Sequence, residues 1–137
     1  MLDISRSNPK DVLTEVKNGR LTIRMRPKGR YKNIEANVVL TYINFDVFNV
    51  STTAVVEGSD QLKSEVLGVK VRVSDQLELN VISNSLVLDI TSSRFVATSL
   101  RVKSLQAGIS RACQAKFRGQ VRDQTLDITN GAYYKGF

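Results

Sequence analysis

The 137-residue chain has no histidine, no tryptophan, one cysteine and two prolines. Without histidine it cannot build a His-based triad, an imidazole metal ligand or an imidazole proton shuttle. One cysteine excludes an internal disulfide and a Cys-only zinc site. No run reaches the roughly 20 apolar residues of a helical membrane span. After Met1 to Arg6 there is no apolar stretch of about 7–15 residues, so no secretory signal is expected. Phosphate-cradling glycine loops and dinucleotide fingerprints are also missing. What is present is a 42% hydrophobic content spread along the whole chain. That is enough to form a core and argues against disorder, so one domain, 1–137, is expected.

Local patterns suggest mostly strands. Asn8-Pro9 reads as an N-cap and first helical residue, and Asn18-Gly19 as a stop, which predicts a short helix over Pro9 to Lys17. Leu21, Ile23 and Met25 then alternate with Thr22, Arg24 and Arg26, the period of a half-buried strand. Arg26 to Gly29 reads as a turn. Ile34, Ala36, Val38, Leu40 and Tyr42 share one parity, so residues 20–42 are expected to form a hairpin. A parity change at Val47-Phe48 suggests a bulge or a new strand, and Gly58-Ser59-Asp60 a turn.

Ser74 to Val81 aligns with Ser83 to Ile90 as a nine-residue repeat, with a fainter third copy from Ser92 that puts Phe95 and Ala97 in the leucine positions. Such a period can build a β-solenoid of half-coils. Solenoids favour more copies and regular glycines, and there is no glycine between Gly68 and Gly108, so an antiparallel meander is expected instead. Leu105, Ile109, Ala112, Cys113 and Phe117 fall near helical spacing between Ser104 and Gly119, which predicts a second helix. The expected fold is mainly β (α+β): an antiparallel sheet or sandwich of about five to eight short strands, with a short N-terminal helix and one helix near the C-terminus.

The net charge of +7 is unevenly distributed. Residues 1–32 carry 9 basic and 3 acidic groups, residues 33–93 carry 3 and 8, and residues 94–137 carry 8 and 2. Seven basic residues and no acid lie between Lys17 and Lys32. Arg20, Arg24 and Arg26 share a parity opposite the apolar one, Lys28 and Arg30 crown the turn, and Tyr31 and Lys32 follow. A guanidinium row at alternate strand positions suits phosphates, and Tyr31 could stack on a base. Arg20, Arg24, Arg26, Lys28, Arg30, Tyr31 and Lys32 are therefore the candidate nucleic-acid-binding residues. A solvated face or an acidic protein surface are the other readings of the same row.

Catalytic groups are sparse. Asp46, Glu57, Asp60, Glu65, Asp75, Glu78 and Asp89 form no metal or nuclease constellation. Cys113 has no histidine to activate it and reads as a small core thiol, while Tyr133 and Tyr134 suit a packing contact. The chain is expected to be no enzyme, to bind no metal or cofactor and to have no membrane partner. The layout is similar in size and element order to small RNA-phage coat proteins, although no diagnostic motif accompanies the similarity. The functional expectation is a self-assembling homo-oligomeric virion component, a coat or shell protein assembled in the host cytoplasm, with its basic hairpin facing packaged RNA or DNA. The alternatives are a soluble nucleic-acid-binding β-module and a phage tail-tube or decoration subunit.

Overall fold

The computed structural model describes residues 2–5, 11–25, 37–41, 46–50, 55–72 and 76–136. They form ten strands: β1 (Leu2–Ser5), β2 (Val12–Lys17), β3 (Arg20–Met25), β4 (Asn37–Leu40), β5 (Val47–Val50), β6 (Val55–Arg72), β7 (Gln76–Thr91), β8 (Arg94–Ser110), β9 (Gln114–Ile128) and β10 (Tyr133–Lys135). Among the described residues there is no α-helix. The chain divides into two compact units, Met1–Ile43 and Asn44–Phe137.

In the first unit β2 and β3 form an antiparallel hairpin, and β1 pairs antiparallel with β4. Asn18 and Gly19 have φ of 51° and 73°. Positive φ at both central residues is the requirement of a two-residue hairpin turn, which Asn-Gly meets at low cost. Asn18-Gly19 therefore joins two strands rather than ending a helix, and the helix expected over Pro9 to Lys17 is replaced from Val12 onward by β2. The hairpin expected over 20–42 is also re-paired, since β3 turns back on β2 while β4 joins β1. The turn expected at Arg26 to Gly29 lies outside the described residues.

The second unit is a single sheet in the order β10-β9-β8-β7-β6-β5, with every neighbouring pair parallel. Val71 lies beside Ile90, Ile90 beside Ile109, and Ile109 beside Ile128, each nineteen positions further on. Consecutive long strands that pair in parallel with a nearly constant offset are successive turns of one coil. The fold is a parallel β-solenoid, which corrects the expected antiparallel sheet or sandwich with helices. The expected second helix is the end of β8, a corner and the start of β9. There Leu105, Ala107 and Ile109 point inward with a period of two, and the corner at Ser110 to Cys113 resets the phase. Inward residues on either side of a corner, with the exposed corner residue Ala112 between them, happened to mimic helical spacing.

Each coil has two halves. In β7 the inward positions are Leu77, Leu79, Val81 and Ser83, then, past a corner at Asn84, Leu86, Leu88 and Ile90. The nine-residue repeat is thus one half-coil. Parallel register stacks equivalent residues into columns such as Leu67-Leu86-Leu105 and Val71-Ile90-Ile109, all buried. Two neighbouring columns compensate in volume. Leu77 and Leu79 of β7 are followed by Phe95 and Ala97 of β8, and then by Ala115 and Phe117 of β9. The large and small residues change places from one coil to the next, which keeps the filling nearly constant and interlocks the layers. The Phe95 and Phe117 rings meet edge to face, with centroids 5.5 Å apart.

Corners replace glycine with other devices. Ser92, Arg111 and Asn130 occupy the same corner of successive coils, with φ of 50°, 58° and 55°. Backbone bonds tie these corners together, including Ser92 N to Ser110 O (3.2 Å) and Tyr133 N to Cys113 O (2.8 Å). At the opposite corner the Ser83 hydroxyl donates to the carbonyls of Glu65 and Ser85, and Ser64 donates to that of Val66. Gly58 to Asp60 form a bulge within β6 rather than a reversing turn. Gly119 is required for space: at φ 138° any Cβ there would collide with the Leu100 backbone.

Because Leu86 is fully buried while Val87 is 41% exposed, Leu86→Ala is expected to cost about 2–5 kcal/mol by leaving a cavity. Val87→Ala should change stability by no more than about 0.5 kcal/mol. Urea unfolding of both variants checks this, and equal effects would contradict the inward-outward assignment.

Candidate functional site

Of the expected binding residues, Arg20 and Arg24 lie exposed on β3. Across the hairpin they pair with Lys17 and Leu13, and Thr22 between them pairs with Glu15. Glu15, Lys17, Asn18, Arg20 and Thr22 line a shallow hollow of about 410 Å³. The arginine row therefore shares its face with a carboxylate. Arg26, Lys28, Arg30, Tyr31 and Lys32 lie outside the described residues.

A second charged surface, one that local parity did not bring together, forms on the outer side of the first half-coils. On β8, β9 and β10 this face carries Arg94, Arg101, Lys103, Lys116, Arg118, Arg122 and Lys135. All seven are exposed. The two acids of this stretch, Asp123 and Asp127, lie past the corner on the second half. Asp123 reaches back to Arg122 at 2.8 Å, an exposed pair that adds little stability. The other six bases make no ion pair with a described carboxylate. On β6 and β7 the same face has the opposite sign, with Glu57, Glu65 and Glu78 against one base, Lys63.

Register makes this reversal explicit. Glu57 pairs with Glu78, Glu78 with Val96, Val96 with Lys116, and Lys116 with Lys135. A single column thus reads Glu, Glu, Val, Lys, Lys along the solenoid axis. At the neighbouring corner the order is Glu65, Asn84, Lys103, Arg122. Like charges placed directly across adjacent strands destabilise a sheet, whereas alternating them would stabilise it. This column does the first twice, with two glutamates and then two lysines. On the second half-coil face the chain takes the favourable option, with Lys70 of β6 and Asp89 of β7 3.6 Å apart.

A groove of about 1010 Å³ follows the corner, crossing four coils between Lys63 and Glu65 at one end and Gln120 and Arg122 at the other. Ser83, Asn84, Val102 and Gly119 also line it. Its polar groups are serine hydroxyls, side-chain amides and charged heads, suited to non-covalent recognition. Among the described residues, no three of His, Cys, Asp and Glu gather closely enough to hold a metal ion.

The offsets along the charged column explain why sequence reading missed it. They run 21, 18, 20 and 19 residues, because bulges near Gly58, at Leu79-Asn80 and at Ala97-Leu100 shift the register. The usable signal was the nineteen-residue spacing of inward residues, to which the outward charges could then have been referred.

Cys113 sits at a corner, fully buried, rather than on a helix. Burial pushes its thiol above the ordinary range, and a smaller opposing effect comes from a hydrogen bond with the Ser93 backbone. Burial likewise raises the Tyr134 phenol. Tyr134 packs on Phe117 with ring centroids 5.3 Å apart, and its hydroxyl lies 3.4 Å from Gln124 Oε1.

The structure thus defines a β-solenoid protein with one electrostatically patterned side. Residues 5–137 match the family described as "Putative auto-transporter adhesin, head GIN domain", and the chain belongs to that family. No curated protein and no solved structure matches it. Membership overturns the expectation of a virion coat, shell, tail-tube or decoration protein, and with it the virion location and the nucleic-acid-binding function. That expectation rested on size, element order and the contiguous basic run from Lys17 to Lys32; where this run is described, Arg20 and Arg24 flank Thr22, whose cross-strand partner is Glu15, so the row shares its face with a carboxylate.

The Cys113 assignment is testable. In the native protein its reaction with an aromatic disulfide reagent at pH 8 should be at least about tenfold slower than in denaturing urea. A thiol raised by folding gives a stability contribution that is complete below the ordinary thiol range and is lost as pH rises through the folded value. Cys113→Ala should remove that part of the alkaline loss, as measured by urea unfolding across alkaline pH.

Proposed function

We propose that the chain is a non-catalytic contact module of a bacterial surface or secreted adhesin. Its solenoid serves as a rigid frame that holds charged side chains in fixed rows. The observation that carries this reading is the sorting of charge on the first half-coil face, where seven bases occupy β8 to β10 and three glutamates occupy β6 and β7. This arrangement places like charges side by side, at a cost in stability that recognition of a partner would offset. The serine- and amide-lined groove beside it supplies neutral hydrogen-bonding groups for orientation. The family description supports the surface or secreted location.

Intact cells of the source organism, treated with a membrane-impermeant amine reagent, should yield protein labelled at Lys103, Lys116 and Lys135 by peptide mass spectrometry, or labelled protein should be recovered from the medium. Labelling that occurs only after lysis would overturn the surface reading.

A further inference from the structure

We infer that the groove along the corner binds an acidic oligosaccharide, with one anionic sugar unit seated over β8 and β9 and neutral units continuing over β7 and β6. The inference rests on the reading of the chain as a contact module and adds the chemical class of what it contacts.

Register sorts the groove residues into two outward rows. Lys63, Ile82, Arg101 and Gln120 lie side by side on successive coils. Two positions further along each strand, Glu65, Asn84, Lys103 and Arg122 make the second row. Between the rows the chain turns Ser83 and Val102 inward, both buried. Each coil therefore offers the groove one pair of side chains. Members of a pair are no more than about 7 Å apart along the strand, and successive coils are about 4.8 Å apart.

The pairs differ in charge. Lys63 and Glu65 balance on β6, and Ile82 and Asn84 are neutral on β7. On β8 both members, Arg101 and Lys103, are bases, and on β9 Arg122 stands beside the amide of Gln120. Three bases and one amide thus occupy the four corners of a single cell of this grid. Arg101 and Lys103 make no ion pair with a described carboxylate, and Arg122 engages Asp123 only through Nε, at 2.8 Å. A cell about 5 Å by 7 Å with charged donors at three corners suits one carboxylate or sulfate group, approached from several sides at once. With no anion in the cell these like charges only repel one another.

The charge of the groove falls away within one coil, which decides the rest of the ligand. Over β7 it meets the amide of Asn84 and the half-buried aliphatic face of Ile82. Over β6 the carboxylate of Glu65 opposes a second anion. A nucleic acid carries charge on every unit, and no aromatic ring lines the groove to stack on a base. An extended peptide presents side chains to one face every two residues, about 7 Å, out of step with the coils. A pyranose unit extends about as far as the ~4.8 Å coil spacing, so three or four units cover the four coils. Their hydroxyls can exchange hydrogen bonds with the amides of Asn84 and Gln120 and with the Lys63 and Glu65 heads, while a C–H face rests on Ile82.

The test titrates the purified full chain by NMR and calorimetry at pH 7. The probes are sialyllactose, which has one carboxylate on a terminal sugar, and a hyaluronan tetrasaccharide, in which uronate and neutral sugars alternate. Lactose, tetragalacturonate, hexathymidylate and a hexaglutamate peptide are the comparisons. At least one probe should bind with a Kd of about 0.1–1 mM and shift the backbone amides of residues 82–84, 101–103 and 120–122. Lactose and tetragalacturonate should bind at least about tenfold more weakly. Arg101→Ala with Lys103→Ala should weaken probe binding at least about tenfold. Lys70→Ala with Arg72→Ala, an equal loss of charge on the second half-coil, should change it by less than about twofold. Glu65→Gln should tighten tetragalacturonate binding at least about threefold, a gain that a misfolded protein could not give. Failure of both probes to bind at up to about 10 mM would overturn the inference. So would lactose or tetragalacturonate binding as tightly as the probes, or probe binding that ignores the loss of Arg101 and Lys103. Tighter binding of hexathymidylate or hexaglutamate would also overturn it and assign the groove to a polyanion or an acidic peptide. Because these measurements use purified protein, their failure is distinct from failure of surface labelling on cells.

Discussion

The parallel backbone ladder between successive coils is the constraint on which the rest of the second unit depends. Its hydrogen bonds hold each residue beside its counterpart about nineteen positions on, so whatever the sequence places at one position is stacked on its equivalent in the next coil. Inward positions become aliphatic columns, and outward positions become columns of charge. In this sheet a one-residue slip would exchange the two faces, which strongly specifies the register. The bulges near Gly58, Leu79 and Ala97 change the residue count of individual coils while the inward columns stay aligned. Register is thus maintained by packing, and charge patterning follows from it.

Packing in such a fold is local. Each coil touches only its neighbours, so stability is close to a sum of coil and interface terms. The exchange of Phe95 and Ala97 for Ala115 and Phe117 shows how adjacent layers are matched to each other rather than to a global average. The same locality frees the outer face. Since Lys116 and Lys135 do not contribute to the core, the repulsion between them adds only a modest cost, and the sequence can arrange outward charges for purposes other than stability.

The repeat of Ser74 to Val81 in Ser83 to Ile90 was legible, and its leucines are the buried ones. What the alternation could not supply was strand direction, because a period of two is common to parallel and antiparallel sheets. The missing glycines were a misleading cue: Ser92, Arg111 and Asn130 take the left-handed corner positions in their place, at a cost that corner hydrogen bonds and neighbouring burial offset. Asn18-Gly19 was recognised as a break but given the wrong role, since the same pair can end a helix or turn a hairpin. The basic stretch from Lys17 to Lys32 drew attention because it is contiguous. The charged column is dispersed over 79 positions, from Glu57 to Lys135, and only the coil register brings it together.

The direction of the ladder also determines how the solenoid responds to mechanical load. Tension along the axis opens rungs one after another, as a zipper, whereas tension along a strand shears all the bonds of a rung at once. β10 is three residues long and β8 seventeen. A pull entering through the segment after Lys135 would therefore strip β10 first, carrying Tyr134 off Phe117, while the longer coils stayed closed. With β10 goes Lys135, the last rung of the charged column, so force at that end would weaken the contact face before it unfolded the frame.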